Sequence, residues 1–172
     1  MTQNAQMNGQ RWFRHELRVR YQETDQMGVV YHANYLNYFE IGRTELIRRI
    51  GMPYRQFEER GLLLPVVETE LKFRLPARYD DRIAVFTMIE ELNGLRIHFA
   101  YEVRRLPSDL PAAESSDDRS QARNAVLNVS AAMEPEGELL TSGRTKHVWL
   151  NRAWKPVRID REAPDLYQLL QS

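Results

Sequence analysis

Apolar and polar residues alternate with period two over residues 15–22, "HELRVRYQ". Leu17, Val19 and Tyr21 fall on one side, Arg18 and Arg20 on the other, which predicts a strand with one wet face. The period changes over 35–50, "YLNYFEIGRTELIRRI", where Tyr35, Tyr38, Phe39, Gly42, Leu46 and Ile50 make a helical stripe that Leu36 and Ile47 widen. Asn34 stands where a cap belongs, Gly51 closes the far end, and Pro53 lies just beyond. Glu45 and Arg49 form a favourable i,i+4 pair. So wide an apolar arc predicts a helix largely wrapped by other structure. Residues 53–60 predict a short second helix, with Pro53 in its first turn and Gly61 after it.

Strands follow. Residues 67–75 set Val67, Thr69, Leu71, Phe73 and Leu75 against Glu68, Glu70, Lys72 and Arg74. Residues 82–90 are apolar on both faces and predict a central strand; 95–104 alternate again, and Asn93-Gly94 joins the two as a tight hairpin. Residues 107–124 are rich in Ser, Asp, Pro and Ala and predict a long mobile loop or disordered insertion. At 125–133 alternation resumes, and strand and helix both remain open there. Residues 139–150 predict a strand ending in Trp149, and 164–171 a short helix started by Pro164; residues 1–11 are polar and read as frayed. Strand, long helix, then a run of antiparallel strands predicts an α+β fold, with one buried helix covered by one face of a sheet. The order contains no βαβ repetition, which argues against a doubly wound parallel sheet.

Composition narrows the function classes. The chain has 172 residues, 42% of them apolar, which suits one globular domain. Lys plus Arg equals Asp plus Glu at 24 each, so no net field favours nucleic acid or an anionic membrane. Arg11, Arg14, Arg18 and Arg20 cluster, but a wet strand face explains them better than an anionic ligand. The absence of cysteine excludes a disulfide framework, a cysteine–zinc site and a thiol nucleophile. The start does not read as a secretory signal, and no apolar run reaches the roughly 18 residues of a membrane span, so a cytoplasmic protein is expected. Of His15, His32, His98 and His147, none pairs with another ligand at metal spacing, so no metal is expected. His98 and His147 read as ordinary polar-face residues on strands, and Ser142-Gly143 as a weak turn or bulge signal. G-x-S-x-G, P-loop and G-x-G-x-x-G patterns are absent.

One segment concentrates chemistry: residues 24–35, "TDQMGVVYHANY", between the first strand and the long helix. Asp25 suits an Asx-turn, and on composition alone that reading leads. Gly28 suits a backbone device, His32 a satisfied polar residue, and Tyr31 and Tyr35 partial burial. A second, functional reading also has a physical logic. A helix start offers unpaired N–H groups and the positive end of the dipole, which together hold a carbonyl oxygen as it becomes an oxyanion. A carboxylate a few residues earlier then attacks that carbonyl or activates a water against it.

The run "VRYQETDQMGVVYHANYLNYFEIGRTELIRRIG" closely resembles the signature of the hotdog-fold acyl-CoA thioesterases, in the 4-hydroxybenzoyl-CoA thioesterase/YbgC-like branch. The matching residues are Tyr21, Asp25, Gly28, Val30, Tyr31, His32, Tyr35, Glu40 and Arg43. Weaker resemblance covers "VVETELKFRLPARYDDRIAV" and "GELLTSGRTKHVWLNRAWKPVRI", so roughly 15–105 and 137–160 are spanned; the insertion at about 106–136 departs from the family. The resemblance implies a single hotdog domain over 12–160, a sheet of about five antiparallel strands around one long helix, and a tail at 161–172. It implies homodimers joined edge to edge, often paired into homotetramers, with sites at the dimer interface. It makes Asp25 the catalytic carboxylate, places an oxyanion donor at the amide near His32, and gives the His32 side chain a role in orienting substrate or water. Tyr21, Gly28, Val30, Tyr31 and Tyr35 become substrate-binding positions. Lys72, Arg74 and Arg78 become candidates for the phosphates of coenzyme A, with a solvated strand face as the competing reading.

An acyl-CoA thioesterase is therefore expected, with coenzyme A as part of the substrate and no separate cofactor. The alternative is a non-catalytic acyl-CoA or acyl-carrier-protein binding module on the same fold. A hotdog hydratase ranks last, because the acid precedes the helix instead of lying on it. Aromatic and short or medium aliphatic acyl groups all fit the motif.

Overall fold

The computed structural model describes residues 11–51, 55–107 and 134–171. Pro53, the polar stretch expected to be mobile and the strand-or-helix question at 125–133 lie outside them. Strand β1 (Phe13–Arg18) leads to helix α1 (Asn34–Arg49), a short α2 (Arg55–Glu59) and a two-residue β2 (Leu62–Leu63). Then come β3 (Val66–Phe73), β4 (Arg82–Leu92), β5 (Arg96–Arg105), β6 (Glu138–Val148) and a two-residue β7 (Leu150–Asn151). Helices α3 (Ile159–Glu162) and α4 (Pro164–Gln171) close the chain, α3 being unannounced by the sequence pattern.

Five strands form one antiparallel sheet in the order β1-β4-β5-β6-β3, and β2 pairs with β7 separately. Strand β4 is central as its two-sided apolar run requires: Ile83, Ala84, Val85 and Phe86 are all fully buried. Helix α1 packs against this sheet, which is the hotdog arrangement. Two glycines permit the contact. A Cβ on Gly42 would fall on the Thr87 hydroxyl and 2.8 Å from Val85. A Cβ on Gly143 would lie 2.6 Å from the Phe39 ring, which stacks on Tyr101 with centroids 4.3 Å apart. Gly143 is thus neither turn nor bulge; it pairs with Tyr101 and Leu71 in mid-strand and leaves room for Phe39.

Several expectations shift in detail. Strand β1 ends at Arg18, and Tyr21 enters a 3-10 turn (Tyr21–Glu23), because the Arg20 amide bonds the Glu23 carboxylate in place of a ladder partner. Ala33, not Asn34, is the N-cap, and Asn34 is the first helical residue. Glu45 pairs with Arg48, while Arg49 lies over the Phe13 ring at 5.5 Å. The helix is wrapped on one side only: Ile47 and Arg43 are buried, whereas Leu36 is exposed. Strand β3 alternates in sequence yet exposes Val66, Val67 and Phe73, because it is an edge with no neighbour beyond it.

The C-terminal segment braces the far end. Trp149 is fully buried against Phe57, with rings 5.3 Å apart, and separates β6 from β7. The β4–β5 hairpin is closed by Asn93, whose Oδ1 accepts the Leu95 and Arg96 amides at 2.9 Å each. Gly94 serves a close approach: the Ile159 amide donates to its carbonyl, and a Cβ there would meet Asp160 and Arg158.

Candidate active site

The segment from Glu23 to Asn34 folds into a closed loop docked on the start of α1. Thr24 and Val30 form an isolated antiparallel bridge, and the Asp25 amide donates to the Val29 carbonyl at 2.9 Å. Inside it, the Gly28 amide donates back to the Asp25 carbonyl at 2.9 Å. Gly28 has φ +72°, a left-handed conformation that a side chain disfavours, and the surrounding space is open. Its glycine is there for the backbone.

The Asx-turn expected at Asp25 is present: Oδ1 accepts the Met27 amide at 2.8 Å. The other carboxylate oxygen has no partner among the described residues. Asp25 is half-buried, so one oxygen is held and the other is open to a ligand.

The loop is anchored at several points. The buried Val30 donates its amide to the Ala77 carbonyl at 2.8 Å, and the Ala77 amide donates to the Tyr35 hydroxyl at 2.9 Å. Burial raises the pKa of Tyr35, so this hydroxyl stays protonated. Tyr31 is 46% exposed and its ring lies 4.3 Å from that of the exposed His32. The Asn34 and Tyr35 amides donate to the Tyr31 and His32 carbonyls, forming the first turn of α1. The amides of His32 and Ala33 have no acceptor among the described residues, and no side chain caps the helix. These are the orphan donors that a helix start leaves.

Asp25, Gly28, Val30, Tyr31, His32 and Tyr35 thus come together around one helix start. Tyr21 sits beside them, 77% exposed, its ring edge-on to Tyr79 at 5.7 Å. It lines a groove of about 710 Å³ with Arg18, Arg20, Glu23, Ile41 and Tyr79, and Asp25 does not border that groove. Of the three basic candidates, Arg78 follows Ala77, to which the loop is bonded, while Lys72 and Arg74 lie on and just after β3. Lys72 pairs with Glu70 at 2.9 Å, in a shallow groove shared with Glu90, Ser142 and Arg144. Arg74 follows β3, its amide bonded to the Leu140 carbonyl at 2.8 Å. Arg78 lies in the β3–β4 connection with its amide on Asp81. All three side chains are exposed.

A second polar cluster was misread. His147 is fully buried on β6, not on a polar face. Its Nδ1 lies 3.3 Å from the Leu64 carbonyl and its Nε2 2.8 Å from the Thr145 hydroxyl, which lies 2.8 Å from the Tyr101 hydroxyl. The consistent proton arrangement has Nδ1–H donating to Leu64, Thr145 donating to Nε2, and Tyr101 donating to Thr145. Burial, then the nearby Arg43 guanidinium, lowers the His147 pKa to about 4, so the ring is neutral. Arg43, also buried, is bonded to Glu40 at 2.5 and 2.6 Å. His98 lies 3.0 Å from Glu91. No group of three potential metal ligands occurs among the described residues, and none of their helices is long and apolar enough to cross a membrane.

The sequence profile of the thioesterase-like superfamily matches residues 19–160, which hold the whole loop and helix. The chain belongs to that superfamily. Among relatives, YneP of Bacillus subtilis is 32% identical over 151 residues, covering 87% of this chain and 88% of its own. The acyl-CoA thioesterase YbgC of Haemophilus influenzae is 37% identical over 94 residues, 54% of this chain and 69% of its own. Among solved structures, the DHNA-CoA thioesterase of Staphylococcus aureus superposes with a TM-score of 0.72 at 28% identity, covering 92% of this chain and 87% of that one. This thioesterase-like chain shares its fold with that structure.

Proposed function

We propose that the protein is an acyl-CoA thioesterase, releasing a free acid and coenzyme A. The observation that carries this reading is the pairing of two unfilled groups: a carboxylate oxygen on Asp25, and the acceptor-less amides of His32 and Ala33 at an uncapped helix start. The acyl-CoA thioesterase activity of the relative YbgC supports the substrate class.

The thioester carbonyl oxygen takes the two amides, and negative charge develops on it as the carbon is attacked. Two routes use this geometry. Asp25 adds to the carbonyl carbon and expels the coenzyme A thiolate, leaving a mixed anhydride that water cleaves. Alternatively, Asp25 takes a proton from water, the hydroxide adds, and the tetrahedral intermediate expels the thiolate, which takes up the proton. The Asx bond to Met27 aims the carboxylate in either case. Tyr31, His32 and Met27 are exposed on or beside the loop and are free to meet the acyl group.

The unpaired edge of β3, with Val66, Val67, Phe73 and Leu75 exposed, suits pairing with β3 of a second copy. Such a dimer brings a partner surface toward the Asp25 loop, since Phe73 lies edge-on to Tyr35 at 5.5 Å.

Thiol release from a panel of aromatic and aliphatic acyl-CoAs tests the proposal. Asp25→Asn should lower turnover by a factor on the order of 100 or more without changing the fold. Unchanged turnover removes Asp25 from the mechanism. A rapid-quench mass increment on the Asp25 peptide separates the covalent route from the water route.

A further inference from the structure

We infer that Glu23 is the positioning residue of this site, tying the Asp25 loop to the second turn of α1 so that carboxylate and amides hold a fixed separation. The inference rests on the thioesterase reading of Asp25 and the helix start.

Four donors converge on Glu23. Its backbone carbonyl accepts the Tyr31 amide at 2.9 Å and the Asn34 Nδ2 at 2.8 Å. Its carboxylate Oε2 accepts the Tyr38 hydroxyl at 2.9 Å and the Arg20 amide at 2.7 Å. The residue therefore grips the strand end before it, the far side of the loop after it, and the helix at two successive turns. Asp25 lies two residues along the chain and His32 one residue beyond Tyr31, so both halves of the site hang from this one point.

The grip is strong for physical reasons. Tyr38 is fully buried, and its hydroxyl needs an acceptor that its apolar surroundings lack. Burial, then the Glu23 carboxylate beside it, raises the Tyr38 pKa, so the phenol keeps its proton and donates. A hydrogen bond to an ionised acceptor is about twice as strong as a neutral one. Glu23 is only half-buried, so its charge is not stranded. The arrangement matters because a shift of roughly 1 Å in a reacting group costs about 100-fold in rate. Nothing in the chemistry needs Glu23 itself. Both contacts of Oε2 are accepted bonds, which a glutamine oxygen also makes.

Three variants test this in the full-length protein. Glu23→Ala should lower kcat for acyl-CoA hydrolysis about 10- to 100-fold while KM stays within about threefold. Tyr38→Phe should give a smaller fall in kcat, and in a Glu23→Ala background should add nothing further, because the partner is already gone. Glu23→Gln should stay within about threefold of wild type, since it accepts the same two donors. Glu23→Ala within twofold of wild type would overturn the inference. So would a Glu23→Gln variant as damaged as Asp25→Asn, because Glu23 would then act on protons itself. A second readout is independent of turnover. Amide hydrogen exchange at residues 24–33 should speed up by about tenfold or more in Glu23→Ala, with the amides of β4 and β5 unchanged. Unchanged exchange at 24–33 also overturns the inference. A wild type inactive on every thioester would sink the functional proposal alone, and the exchange measurement would still decide whether Glu23 ties the loop.

Discussion

Helix α1 carries two polar clusters, and they are built on opposite rules. At its start, the Asp25 loop leaves one carboxylate oxygen and two backbone amides without partners. On its sheet-facing side, the chain from Tyr101 through Thr145 and His147 to the Leu64 carbonyl is buried and every donor has an acceptor. A buried polar group without a partner costs about 1–3 kcal/mol, so completing the inner cluster favours the fold. The outer cluster borders solvent and tolerates open valences, and open valences are what a substrate occupies. On the proposed function, the inner cluster serves stability and the outer one chemistry, although both contain a histidine.

The largest expected effect breaks the outer cluster at one atom. His32 is the second residue of the turn Tyr31–Asn34, a position that accepts the φ of proline. His32→Pro removes its amide hydrogen, which has no acceptor among the described residues, and should cost turnover about 10²–10³-fold. His32→Ala keeps the amide and loses the imidazole, and should cost less. Steady-state kcat for the pair separates the backbone role from the side-chain role. Equal losses in both would assign the work to the imidazole and leave the amide idle.

The converse change belongs to the inner cluster. His147→Ala opens a cavity and leaves the Thr145 hydroxyl proton without its Nε2 acceptor. It should lower unfolding free energy by about 2–4 kcal/mol. Thiol release per folded molecule should stay within about twofold of wild type. A denaturant titration at an unchanged slope measures the first quantity. If turnover falls while stability holds, the division between the clusters is wrong.

That contrast also explains what was legible in the sequence. Helix α1 is readable from its helical stripe, β3 and β5 from alternation, and β4 from its two-sided apolar run. The Asp25 loop is readable as a motif, because its glycine, acid and aromatic residues fall at set spacings. The inner cluster was hidden because the helix-facing side of β6 reads Thr141, Gly143, Thr145, His147, Trp149, and hydrophobicity says little about such a set. Counting back in twos from Trp149 gives the right face, since parity survives where polarity misleads. Arg43 is legible as a motif residue but its burial is not, because it falls within the buried arc of α1 and is charged. The exposed apolar side of β3 was unreadable for the opposite reason. Alternation reports that one side is apolar, and the described residues leave that side largely exposed. Glu23 gave no signal, because its partners Arg20, Tyr31, Asn34 and Tyr38 are assembled only by the turn that it helps to close.

The smallest expected effect uses protons to find the inner cluster. His147 has a pKa of about 4 in the folded protein, against 6.5 for an unperturbed histidine. Between these values the unfolded chain binds a proton that the folded chain refuses, so stability rises with pH across the window. The full contribution is present above pH 6.5 and is lost as pH falls toward 4. At pH 5 the loss should be about 2 kcal/mol relative to pH 8. The carboxylates with lowered pKa, Glu70, Asp160 and Asp165, act at lower pH and are near the surface, so they leave this window to histidine. Urea unfolding of the wild type at pH 8, 6.5 and 5 should show the decline, and His147→Gln should flatten it. A wild type equally stable at pH 8 and 5 would mean that His147 accepts a proton where it sits, and that the inner cluster is less closed than its hydrogen bonds describe.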